Sequence, residues 1–128
     1  MRLLLDTHAL LWSMSGDSRL GPKARALVSD PANEVLVSIA SLWEIVIKAS
    51  LGKLQGDIGE IDGAIDTQGF TRLAISLTHL QTLALLPMHH RDPFDRMLIA
   101  QAQAEQLTFI TDDRHAPLYP VTILPCAE

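Results

Sequence analysis

Met1-Arg2-Leu3-Leu4-Leu5-Asp6-Thr7-His8 is the stretch from which the fold is read. Three leucines in a row leave no polar face, so a strand here is buried on both sides. Asp6 follows at once, and Thr7–Trp12 has helical character until Gly16 and Asp17 break it. The same plan recurs at Val35-Leu36-Val37, which ends at Ser38 before a helical stretch Ile39–Leu51 closed by Gly52. It recurs again at Thr108–Thr111, with Asp112 and Asp113 behind it. Between these lie helical segments at Pro22–Ser29, Asp57–Gln68, Leu77–Leu86 and Pro93–Gln106, and strands at Phe70–Ile75 and Val121–Leu124. Pro22 sits where a missing N–H costs nothing, and Pro87 stops the helix before it. Strands alternating with helices, several of them continuously apolar, predict an α/β fold with a mostly parallel sheet covered on both faces.

The 128 residues suit one domain, expected to span 1–128. Apolar residues make up 48% and charged residues 20%, which excludes a disordered chain. A net charge of −5 excludes a generic polycationic nucleic-acid binder. Cys126 is the lone cysteine, which rules out an internal disulfide and a cysteine-built metal cage, and it reads as an incidental tail thiol. Asp6 comes too early for a signal peptide. The longest stretch free of Asp, Glu, Lys and Arg, Leu73–His90, is too polar for a membrane span. A soluble, cytoplasmic protein without membrane contact is expected.

In parallel sheets ligands bind beyond the carboxyl ends of the strands. Asp6, Asp112 and Asp113 fall there, Glu44 lies in the helix after the second strand, and Asp92 and Asp95 open the helix Pro93–Gln106. Carboxylates gathered at one edge repel, and a divalent cation relieves the repulsion. Oxygen donors suit Mg²⁺ or Mn²⁺. Each acid also has a plainer reading. Asp6 and Asp92 fit helix N-caps, Asp95 fits a first turn, Glu44 and Lys48 fit an i,i+4 surface pair, and Asp113 fits a turn.

Four segments in order, Leu4-Leu5-Asp6-Thr7-His8, Ser41-Leu42-Trp43-Glu44-Ile45, Asp95–Ala102 and Ile110-Thr111-Asp112-Asp113, resemble PIN domains, and VapC-type toxins of bacterial toxin–antitoxin pairs in particular. Ser38–Leu54 and His89–Ala102 resemble one subgroup. The resemblance implies a three-layer α/β/α sandwich and metal-dependent endoribonuclease activity, in which a metal-activated water attacks the phosphodiester. It carries Asp6, Glu44, Asp95 and Asp113 over as catalytic and metal-holding acids, with Asp112 the alternative fourth acid and Asp92 in support. It implies an RNA substrate, Mg²⁺ or Mn²⁺, and a small antitoxin protein that covers the site. No active-site histidine is called for.

Lys48, Arg91 and Arg96 are candidates for phosphate contacts, or else for surface ion pairs with the same acids. His89 and His90 read as loop residues, because adjacent side chains diverge. Trp12 and Trp43 read as core or interface residues, and the apolar content of Leu73–His90 suits the core, a partner or a homodimer. Two rival functions are weighed. An aspartyl-phosphate enzyme would want a second Asp where His8 stands, or a late Lys, and no Lys follows Lys53. A PIN-like module that binds RNA or protein without cutting would be expected to lack some of the acids.

Overall fold

The computed structural model describes residues 1–128. Five strands, β1 (Arg2–Leu5), β2 (Glu34–Ser38), β3 (Thr71–Leu73), β4 (Thr108–Ile110) and β5 (Thr122–Leu124), form one sheet in the order β3-β2-β1-β4-β5. Every pairing is parallel, with Leu4 opposite Leu36 on one side and Phe109 on the other. Six helices connect them: α1 (Thr7–Ser15), α2 (Pro22–Ser29), α3 (Ile39–Ser50), α4 (Ile58–Gln68), α5 (Leu77–Leu85) and α6 (Pro93–Glu105).

The apolar runs make the three layers necessary. In β1, Leu3 and Leu5 enter one cluster with Leu10 of α1, Val28 of α2 and Ile65 of α4, while Leu4 enters a second with Leu98 and Ile99 of α6. Val35 and Val37 join the first cluster and Leu36 the second; Ile110 and Phe109 divide in the same way. Both faces of the central strand therefore need cover, as the expected α/β/α sandwich provides.

Element ends shift where local geometry decides. Helix α1 runs to Ser15, three residues beyond the expected Trp12, and Gly16 stops it in the left-handed region at φ 67°. The expected strand Phe70–Ile75 shrinks to Thr71–Leu73, an edge strand paired on one side only. A 3₁₀ turn at Ala116–Leu118 was not expected. Cys126 is not an incidental tail thiol but a core residue, fully buried in the first cluster. Burial raises its pKa and holds the thiol protonated. The tail folds back on the start of α2, where the Gly21 N–H donates to the Cys126 carbonyl at 2.7 Å. A Cβ on Gly21 would lie 2.4 Å from the Ala127 carbonyl oxygen, so only glycine fits without moving the tail.

The chain moves outward from β1 to β2 and β3, then crosses back to β4 on the other side of β1. The carboxyl ends of β1 and β4 thus flank the point where strand order reverses, where such sheets form a crevice.

Candidate active site

The β1–β4 ladder continues one step past the strands, with the Asp6 N–H donating to the Ile110 carbonyl at 3.1 Å. This sets Asp6 beside Thr111. One carboxylate oxygen, Oδ1, accepts from the Ala9 N–H at 2.7 Å and caps α1; the other, Oδ2, accepts from the Thr111 hydroxyl at 2.6 Å. The cap reading and the cleft reading of Asp6 therefore hold together. Burial raises its pKa against the opposing pull of those two hydrogen bonds. Thr111 Oγ1 also accepts from the Asp113 N–H at 3.0 Å, so one hydroxyl ties both acids.

Glu44 is buried on α3, its side chain 5% exposed. The Thr7 hydroxyl donates to Oε1 at 2.6 Å and lies 3.1 Å from Ser41 Oγ; Lys48 Nζ donates to Oε2 at 2.5 Å. The i,i+4 pair forms as the spacing suggests, but inward rather than on the surface. The Glu44 carboxylate holds the Lys48 pKa above its usual value.

Asp92 caps α6, accepting from the Phe94 and Asp95 N–H groups at 2.8 and 3.0 Å. Asp95, in the first turn, is pushed up to about 7, first by burial and then by the charges of Asp92, Asp113 and Glu44. Its Oδ2 lies 3.1 Å from His90 Nε2, which also contacts Asp113 Oδ2 at 2.5 Å. Burial alone would raise Asp113, but the hydrogen bonds from the His115 N–H and from His90 outweigh it and hold its pKa low. A cavity of about 270 Å³ opens here, lined by Asp6, His8, Trp12, Asp95, Asp112 and Asp113. Glu44 and Asp92 stand outside its lining and act on Asp95 by charge. Asp112 faces the same cavity but accepts from the Ala127 N–H at 3.2 Å, whereas Asp113 meets Asp95 through His90.

The three phosphate-contact candidates fare differently. The Arg96 guanidinium is spent on backbone carbonyls, those of Pro87 at 3.0 Å and of Leu83, Leu86 and His90 at 3.4–3.5 Å. It shapes the loop before α6 and is not free for a phosphate. Lys48 is held by Glu44, and Arg91 is exposed with no ion-pair partner. Trp43 is 57% exposed, edge-on to Phe94 with ring centroids 5.1 Å apart. Trp12 stacks on His8 at 5.6 Å beside the cavity. Sequence reasoning passed over His90 and His115, whose ring nitrogens lie with an Asp113 oxygen within 4.8 Å of one another. The one signal was His90 standing two residues before a helix-capping Asp.

The donor set is chemically uneven. Carboxylates from β1, β4 and α6 share one cavity, two with raised pKa, and the nearest lysine is already committed. Such a site is short of positive charge. Its oxygen donors fit a hard divalent cation; Asp6, Asp95 and Asp113 line the cavity, and the ligand atoms that lie within 4.8 Å of one another are those of His90, Asp113 and His115.

The fold and site define an α/β domain, a doubly covered parallel sheet with an acidic cavity at its switch point. The PIN domain family model matches residues 3–120, and the chain belongs to that family. Three solved complexes contain chains of similar fold. Against VapBC2 from Rickettsia felis bound to a promoter DNA fragment, the TM-score is 0.72 at 14% identity, covering 98% of each chain. A toxin–antitoxin complex from Klebsiella pneumoniae gives 0.69 at 20% identity, again over 98% of each. VapBC-1 from nontypeable Haemophilus influenzae gives 0.67 at 15% identity over 100% of each. No curated protein is significantly similar in sequence.

Proposed function

We propose that this protein is a divalent-metal-dependent endoribonuclease and the toxin of a two-protein toxin–antitoxin pair. The observation that carries the nuclease reading is the cavity at the β1–β4 switch point, which Asp6, Asp95 and Asp113 line and where burial and the neighbouring carboxylates push the Asp95 pKa up to about 7. Mg²⁺ or Mn²⁺ bound there would supply charge for the scissile phosphate and acidify a water. The chain's own part is positioning. Thr111 fixes Asp6 and Asp113 through one hydroxyl, and Asp92 fixes the turn that carries Asp95. Glu44, locked by Thr7 and Lys48, adds negative charge from behind and strengthens the call for a cation. Asp113 is the fourth acid and Asp112 a neighbour that anchors the tail. Arg91, exposed and without an ion-pair partner, supplies a phosphate contact that positions RNA without reading its bases.

The toxin reading is supported by the likeness in fold to chains of VapBC and other toxin–antitoxin complexes. Exposed apolar groups fit it: Trp43, Leu77, Leu85 and Met88 are 57–85% exposed, and Trp43 also lines an apolar cavity with Ile75, Leu83, Phe94 and Met97. Exposed apolar surface of this kind suits a second copy of the chain or an antitoxin. No helix is long and apolar enough to cross a membrane.

The test is cleavage of labelled single-stranded and hairpin RNAs by purified protein in Mg²⁺, in Mn²⁺ and in chelator, with Asp6→Asn as the control. Metal-dependent cutting absent from the variant supports the reading. Equal behaviour of the two proteins, with no metal binding by either, refutes it and leaves a non-cutting module.

A further inference from the structure

His90 is held more firmly than a loop residue needs to be. Its N–H donates to Tyr119 Oη at 2.9 Å, and that hydroxyl donates on to the Pro87 carbonyl at 2.7 Å. Its carbonyl accepts from Arg96 at 3.4 Å. Its ring packs against that of His115, centroids 4.7 Å apart, and only 12% of the side chain is exposed. The Asp92 N–H donates to Nδ1 at 3.1 Å. A nitrogen that accepts a hydrogen bond carries no hydrogen, so the ring hydrogen resides on Nε2. That N–H faces Asp113 Oδ2 at 2.5 Å and Asp95 Oδ2 at 3.1 Å. In this tautomer Nε2 is a donor and has no lone pair for a metal ion.

We propose that His90 is a positioning residue: its Nε2–H, shared between Asp95 and Asp113, sets the spacing of two carboxylates from α6 and from the end of β4 before a cation reaches them. This rests on the reading of that cavity as the metal site. The two acids repel, and without a shared donor each would turn toward solvent. His90 takes only Oδ2 of Asp95, and the Asp95 side chain lines the cavity. Asp92 contributes twice, accepting with its side chain to cap α6 and donating with its backbone to fix the imidazole. Partners of this outer kind typically govern metal affinity ~10–100-fold.

The test is Mn²⁺ titration of the full chain, followed by calorimetry and by the loss of the free-ion paramagnetic resonance signal. His90→Ala is expected to weaken Mn²⁺ binding ~10–100-fold, and His90→Gln, whose amide N–H reaches the place of Nε2, to stay within about threefold of wild type. Histidine ¹⁵N shifts of the metal-free wild type should show the Nε2–H tautomer, a readout that holds even where His90→Ala fails to fold. An unchanged affinity in His90→Ala, a loss in His90→Gln as large as in His90→Ala, or an Nδ1–H ring overturns the proposal. Asp95→Asn separates the two readings. If it abolishes Mn²⁺ binding while His90→Ala does not, only the role of His90 falls. If neither substitution alters binding, the metal site falls with it.

Discussion

Replacing Asp95 by Asn should make the metal-free protein more stable, although the same change removes a proposed metal-holding group. In the folded chain the Asp95 carboxyl is pushed from 3.8 to about 7 by burial and by the charges of Asp92, Asp113 and Glu44. Converted at ~1.4 kcal/mol per pH unit, that difference is about 4 kcal/mol of strain carried by the ionised form. The side chain keeps 28% exposure and shares protons with its neighbours, so about 2 kcal/mol is the expected effect. The sign follows from proton linkage. The folded protein binds the proton more tightly than the unfolded chain, so stability is greatest at low pH. It falls as pH rises from about 4 to about 7 and is then level. Asn has no such loss. Urea unfolding in chelator should show Asp95→Asn and wild type nearly equal near pH 3, and the variant ahead by about 2 kcal/mol at pH 8. In melting temperature that is roughly 5–10 °C. Added Mg²⁺ should reverse the order, because only wild type gains binding free energy. A variant less stable than wild type at pH 8 in chelator, or a difference that does not change with pH, would refute the reasoning.

Three further outcomes are expected. Thr111→Val removes the buried donor to Asp6 and strands the Asp113 N–H, and should cost about 2–4 kcal/mol at pH 8 by urea unfolding. The cost should shrink at acid pH, where Asp6 is protonated and needs the hydroxyl less. Gly21→Ala puts a Cβ against the Ala127 carbonyl; about 1–3 kcal/mol should be lost, and amide exchange should quicken in the tail ahead of the sheet. Arg96→Ala frees several carbonyls of the loop before α6, so unfolding should report a loss of about 2–3 kcal/mol, and histidine NMR should show the His90 ring released.

The sheet was legible because its signal is local. Three leucines in β1, and apolar runs in β2 and β4, need no partner to declare burial on both faces. Helix ends at Gly16 and Gly52 were legible for the same reason, since each glycine adopts the left-handed conformation that stops a helix. Asp6, Asp95 and Asp113 could be named from strand and helix ends, and the structure places all three on one cavity. Other roles depended on contacts between distant segments. His90 matters because β4 delivers Asp113 beside it, and adjacent histidines in a sequence say nothing of that. Cys126 is core because the tail returns to Gly21, and Arg96 is committed because four carbonyls between Leu83 and His90 turn toward it. Glu44 could be named as a candidate acid from the helix after the second strand; its lysine pair forms too, turned inward by the packing of α3 against α1 and outside the cavity lining.

The hydrogen bond between Thr111 and Asp6 joins residues 105 positions apart, and β1 pairs with β4 across the same span. Contacts so far apart in sequence are late and slow to form, because the whole intervening chain must be ordered to close them. The first strand therefore waits for the fourth. While a ribosome is still making β2 and α3, the chain holds Asp6 and Glu44 but no Asp95 or Asp113, and the cavity does not exist. A site built this way cannot assemble until almost all of the core has been laid down, and the topology of one parallel pairing is the timer.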